Sequence, residues 1–106
     1  MNKKNEIKAG SFREYLNKTL KKPKYKKAYE QEKLKVFLGY QISCLRESAG
    51  LTQAELARLI GTRQSNVSRL ETGNLNFTVE MLEKIAEALR AELTVKFIPH
   101  KTSRAA

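Results

Sequence analysis

Residues 51–73 read LTQAELARLIGTRQSNVSRLETG, a stretch that holds two short helices joined by a tight turn. Thr52 has the form of a helix cap, with Glu55 three residues on to complete a capping box. Leu56, Ala57 and Ile60 then recur at helical spacing as an inner face, up to Gly61. Thr62 is expected to cap a second helix, from Arg63 to about Thr72, with Val67 and Leu70 inward and Gly73 as its stop. The outward side of this second helix carries Arg63, Gln64, Ser65, Asn66, Ser68 and Arg69, and no acid interrupts it. An α-helix fits the major groove of B-DNA, where Arg pairs bidentately with guanine and Gln or Asn with adenine. In such a helix pair the second member points at the bases while the first crosses the backbone. The free amides at both helix starts, near Gln53 and Arg63, are natural phosphate contacts.

Toward the C-terminus, Thr78 caps a further helix in which Val79, Leu82, Ile85, Ala86 and Leu89 recur at helical spacing to Arg90. The period then changes. Leu93, Val95 and Phe97 alternate with Thr94, Lys96 and Ile98, which predicts a short strand ended by Pro99. Toward the N-terminus, residues 24–48 hold no proline and only Gly39, so they form one long helix or two with a joint near 30–33. Ser11 and Glu14 have capping-box spacing, and Phe12, Tyr15, Leu16 and Leu20 follow on one side of a short helix over about 11–21. Pro23 ends that helix and is placed to start the next.

The 106 residues suffice for one domain and an appendage, and 41% are hydrophobic, enough for a small core that dimerisation would help. No apolar run approaches the roughly 20 residues that span a bilayer, and no apolar signal core follows MNKKNEIKAG, so a cytoplasmic protein is expected. The formal net charge is +10. Residues 1–37 hold twelve Lys/Arg against four Glu, whereas residues 38–106 hold nine against seven. A basic arm of this kind is either a solvated extension or a partner for phosphates. Cys44 is the single cysteine and His100 the single histidine, so no internal disulfide, metal cluster or His-based catalyst is expected. No glycine-rich phosphate loop appears either, and the sequence reads as neither an enzyme nor a cofactor carrier.

With these residues in view, the stretch resembles the Cro and lambda-repressor-like, or XRE-type, helix-turn-helix family. The matching pattern is Leu51-Thr52-Gln53, Leu56-Ala57, Gly61-Thr62, Val67-Ser68-Arg69-Leu70-Glu71 and Gly73. Leu82, Ile85-Ala86 and Leu89 are similar to the closing helix of that family, and the likeness covers roughly residues 36–91. It implies an all-α, five-helix domain that binds double-stranded operator DNA, usually as a homodimer. It also implies that Gln53 grips a phosphate, that Gln64, Ser65 and Arg69 touch bases or flanking phosphates, and that Arg46 pairs with Glu71 structurally. The expected layout is a basic helical arm over 1–33, the helix-turn-helix domain over 34–91, and a short strand with a disordered tail over 92–106.

The arm carries a second likeness. Residues 21–30, KKPKYKKAYE, preceded by a short helix, are similar to the lead-in of HigA-type antitoxins, with Tyr25 in the aromatic position. Ala91 to Phe97 also resembles the end of those proteins. This implies a dual role: repression of the protein's own operon, and neutralisation of a RelE-like ribonuclease toxin. Phe12, Tyr15, Leu16, Leu20, Tyr25 and Tyr29 then become candidate partner-binding residues, unless that stripe packs on the protein's own domain. The tail strand would pair with its copy across a two-fold or with a toxin's sheet. Two alternatives stand beside the antitoxin: a phage-type or restriction-system regulator with no toxin, and an interaction module that no longer binds DNA.

Overall fold

Pro23 and Glu32 divide the N-terminal half into three helices. In the computed structural model, which describes residues 9–101, α1 spans Ala9–Thr19, α2 Pro23–Gln31 and α3 Lys33–Ser48. Residues 1–8, which open the basic arm, and 102–106, which close the tail, lie outside the described residues. Pro23 occupies the first turn of α2, where its missing amide costs nothing. Of the two readings of residues 24–48, the one with a joint near 30–33 is found: Glu32 leaves helical geometry at φ −131° and ψ 43°, so two helices form. Because α1 already includes Ala9 and Gly10, Ser11 lies inside the helix and not at its cap.

The C-terminal half holds α4 (Gln53–Ile60), α5 (Gln64–Glu71) and α6 (Val79–Ala88). Thr52 caps α4 through a complete box, its hydroxyl accepting from the Glu55 amide and its own amide donating to Glu55 Oε1. Thr78 caps α6 by accepting from the Met81 amide. The second helix of the motif starts one residue later than expected: Arg63 is its cap, without a side-chain bond, and the Thr62 hydroxyl faces Asn66 instead.

Two expectations are corrected. The stretch 34–91 contains four helices, α3 to α6, not five, because the chain turns left-handed at Arg90 (φ 53°) and no helix follows. The strand expected over Leu93–Ile98 is absent among the described residues. Its alternating pattern remains, but a strand needs a neighbour for its amides and the chain offers none here. Val95, Phe97 and Ile98 are consequently 66%, 98% and 76% exposed.

Each helix of the domain contributes to one core. Ile42 of α3, Leu56 and Ala57 of α4, Val67 and Leu70 of α5, and Ile85 of α6 pack together with Leu89. Burying such side chains supplies most of the driving force, at about 1.5–3 kcal/mol each. Gly39 brings α3 onto α5: a methyl group there would collide with the Leu70 and Glu71 carbonyls, so the two backbones lie in direct contact.

The arm docks on this domain through aromatic rings. Phe12 lies 4.8 Å from Phe37 and 5.2 Å from Tyr40 between ring centroids, and Tyr15 lies 4.9 Å from Tyr40. Tyr29 completes the cluster at 6.5 Å from Phe12. Tilted pairs at these separations are favourable beyond their buried area. Part of the apolar stripe of α1 and α2 therefore covers the chain's own α3.

Candidate nucleic-acid interface

The polar face is set by what α5 must bury. Val67, Leu70 and Glu71 are buried on its inner side, so helical geometry turns Gln64, Ser65, Ser68 and Arg69 together toward solvent. Arg63 stands at the start of the same helix, also exposed. Among the described residues, Arg63, Gln64, Ser65 and Ser68 make no side-chain hydrogen bond or ion pair, so their donors and acceptors face solvent. No acid occupies the first turn of α5 and no side chain caps it, which leaves its first amides and positive dipole end open to an anion. At α4 the corresponding end is closed by Thr52 and Glu55. There the Thr52 backbone hydrogen bond, aided by its hydroxyl, holds the Glu55 carboxyl below its usual pKa.

Two expected contacts are engaged within the protein itself. Asn66 is half-buried and turns sideways, its Nδ2 donating to Thr62 Oγ1 at 2.8 Å. Gln53, at the first position of α4, is half-buried and donates from Nε2 to Glu71 Oε1 at 3.0 Å. That bond leaves one amide hydrogen and the carbonyl of Gln53 uncommitted. Arg69 is steadied at the far end of the face, where its Nη2 donates to the Asn74 carbonyl at 3.4 Å. Thr72 and Asn74 had not been singled out in the sequence. The Thr72 hydroxyl lies 3.2 Å from the Ser68 and Arg69 carbonyls, and Asn74 Nδ2 donates to it at 3.3 Å. The polar residues around Gly73 are the signal that marks this support.

Beneath the face lies an ion pair that fixes its aim. Arg46 of α3 grips Glu71 of α5 bidentately, Nε to Oε2 at 2.6 Å and Nη2 to Oε1 at 3.1 Å. Its Nη1 donates to the Leu51 carbonyl at 2.7 Å. The hydrogen bond to Glu71 outweighs partial burial and raises the Arg46 pKa above its already high ordinary value. With Gln53 also on Glu71, the end of α3, the start of α4 and the end of α5 meet at one carboxylate. No buried side-chain nitrogen or oxygen among the described residues lacks a partner.

A helix with an exposed, acid-free polar face, set against a capped helix of equal length by a left-handed glycine turn at Gly61 (φ 74°), is a helix-turn-helix. Comparison with known proteins agrees. Residues 45–95 match the family described as Helix-turn-helix. The competence pilus inhibition repressor of Acinetobacter baylyi is 34% identical over 61 residues, which is 58% of this chain. The matched region spans 56% of that repressor's length. The crystal structure of the restriction-modification controller protein C.AhdI from Aeromonas hydrophila superposes with a TM-score of 0.52 at 37% identity. It covers 54% of this chain and 83% of that one. The chain belongs to the XRE-type helix-turn-helix family of DNA-binding regulators.

Among the described residues no helix is long and apolar enough to cross a membrane, and no cluster of His, Cys, Asp or Glu is arranged to hold a metal ion.

Proposed function

We propose that the protein is a sequence-specific transcriptional repressor that reads its operator through α5. Gln64, Ser65, Ser68 and Arg69 face the base edges, Arg63 and the open amides of α5 meet the backbone at the groove's edge, and Gln53 offers its remaining amide hydrogen to a phosphate. Asn66 contributes at the flank after letting go of Thr62. The observation that carries this reading is the exposed, acid-free face of α5, held by the part-buried Arg46–Glu71–Gln53 network. Two copies acting on a two-fold-related site complete it, with the unpartnered Leu93–Ile98 segments pairing across the axis.

Fluorescence anisotropy on the protein's own upstream DNA and on a scrambled duplex, across a salt series, tests the proposal. A preference for the upstream duplex that survives physiological salt is the expected result. Gln64→Ala with Arg69→Ala lowers operator affinity by a few kcal/mol, at about 1–3 per good base contact, and leaves folding intact. Unchanged discrimination in the double variant would remove these residues from the reading face.

Of the two finer readings, the packing favours a stand-alone regulator, since Phe12 and Tyr15 are spent on Phe37 and Tyr40 and are not free for a toxin. The second reading, a HigA-like antitoxin, is favoured by Tyr25, which is 38% exposed on α2 within the lead-in that resembles those proteins. A stable complex with the product of an adjacent RelE-like reading frame would select the antitoxin. Repression without any such partner selects the regulator.

A further inference from the structure

The arm does more than cover α3. Between α1, α2 and the end of α5 it encloses a cleft of about 380 Å³. That volume lies in the range of small-molecule sites, which combine an apolar floor with a few placed polar groups. Leu16 of α1, Leu20 just beyond it and Val36 of α3 supply the floor, and the ring of Tyr25 forms a wall. The rim carries Lys18, Lys22 and Lys24, and no acid lines the cleft. None of these three lysines has an ion-pair partner among the described residues. Lys22 instead rests against Tyr25, its Nζ 5.7 Å from the ring centroid, a weak contact that a stronger anion can replace. The far wall is Thr72 and Asn74, the two residues that steady Arg69 on the reading face.

We infer that this cleft binds a small amphipathic carboxylate, with its hydrocarbon on the leucine floor and its charge among the rim lysines, and that its occupancy is linked to operator affinity. An inorganic anion makes no use of the floor, and a neutral hydrocarbon makes none of the lysines. The linkage, which rests on α5 being the reading helix, runs through contact. A ligand against Asn74 and Thr72 alters the support of Arg69, and any ligand that favours one arrangement of that support shifts DNA affinity. By reciprocity the operator shifts ligand affinity by the same factor.

The experiment begins with the DNA-free full chain, titrated with 3-phenylpropionate and with octanoate. Three of the four tyrosines, Tyr15, Tyr25 and Tyr29, line the cleft and the chain has no tryptophan, so intrinsic fluorescence reports on it. Saturable quenching is expected, with amide NMR shifts centred on Leu16, Leu20, Tyr25 and Asn74. Replacing the charged probe by 3-phenylpropionamide, or the protein by Lys22→Gln with Lys24→Gln, weakens binding about tenfold, the loss of one charge-assisted contact. Both lysines are exposed, so the variant folds. Failure of both probes to saturate, equal affinity for the amide, or shifts centred elsewhere would overturn the site. Operator affinity is then measured with and without saturating probe. A change supports the linkage, and none overturns it. If the DNA-reading proposal fails, the protein shows no operator preference even without probe, so the two failures are told apart.

Discussion

Gly39 shows how much one absent methyl group decides. At an open helical position, Gly→Ala adds about 1 kcal/mol of stability, because alanine loses less backbone freedom on folding. Here the sign reverses, since the added carbon meets the Leu70 and Glu71 carbonyls and neither is the yielding end of a side chain. Gly39→Ala should therefore cost about 1–3 kcal/mol net, the usual penalty of overpacking, read as a lower urea midpoint at unchanged slope. A midpoint that rises would mean that α3 lifts off α5 without penalty. The same contact bears on the site, because α3 also delivers Arg46 to Glu71, whose side chains are only 13% and 6% exposed. Such a buried pair adds little net stability over a well-packed apolar pair, but losing one partner strands a charge. Its value here is directional: it holds the end of α5 in one position relative to α4.

Helix ends repeat one device four times. At the ends of α3, α4, α5 and α6 a residue two or three beyond the helix donates its amide five residues back: Leu51 to Arg46, Thr62 to Ala57, Asn74 to Arg69 and Ala91 to Ala86. A left-handed residue precedes each donor. Gly50, Gly61 and Gly73 fill three of these places and were readable as stops from the residue type alone. Arg90 fills the fourth, and nothing in its side chain announces a left-handed turn, which is why the sequence ran the helix on to it. Arg90→Gly should raise stability by about 1 kcal/mol, relieving the side-chain clash of that geometry, as thermal or urea unfolding will measure. No change would mean that the Arg90 side chain makes compensating contacts. What was legible follows the same logic. The helix pair, the caps of α4 at Thr52 and of α6 at Thr78, and the inner faces apart from Val79, which is 63% exposed, are local patterns, and they stand. The sideways turn of Asn66 depends on a hydroxyl one helical turn back, and the docking of Phe12 on Phe37 on a helix far along the chain. Periodicity showed that α1 had an apolar side, not what that side would meet. The tail shows the limit from the other direction, since alternation alone makes no strand where nothing accepts its amides.

Taken whole, the chain is electrically lopsided, with most of its +10 net charge in the first third of the sequence. The fold does little to neutralise it: within the described part of the arm the one ion pair is Lys35 with Glu32, at 3.2 Å. Lys26 and Lys27 of α2 are exposed and have no ion-pair partner among the described residues. The shared cleft places α2 beside Thr72 and Asn74, just past the end of α5, with Lys24 on its lining. Charge of this kind binds phosphates of any sequence and releases counterions as it does so. Lys26→Gln with Lys27→Gln should therefore weaken operator and scrambled DNA by the same factor. The log–log dependence of affinity on salt should flatten by about one for each of the two lysines that meets a phosphate. The preference for operator over scrambled duplex should not move if, as proposed, base reading belongs to α5. An unchanged salt slope would mean that the arm's charge does not reach the duplex. A lost preference would mean that α2 also takes part in positioning α5 in the groove.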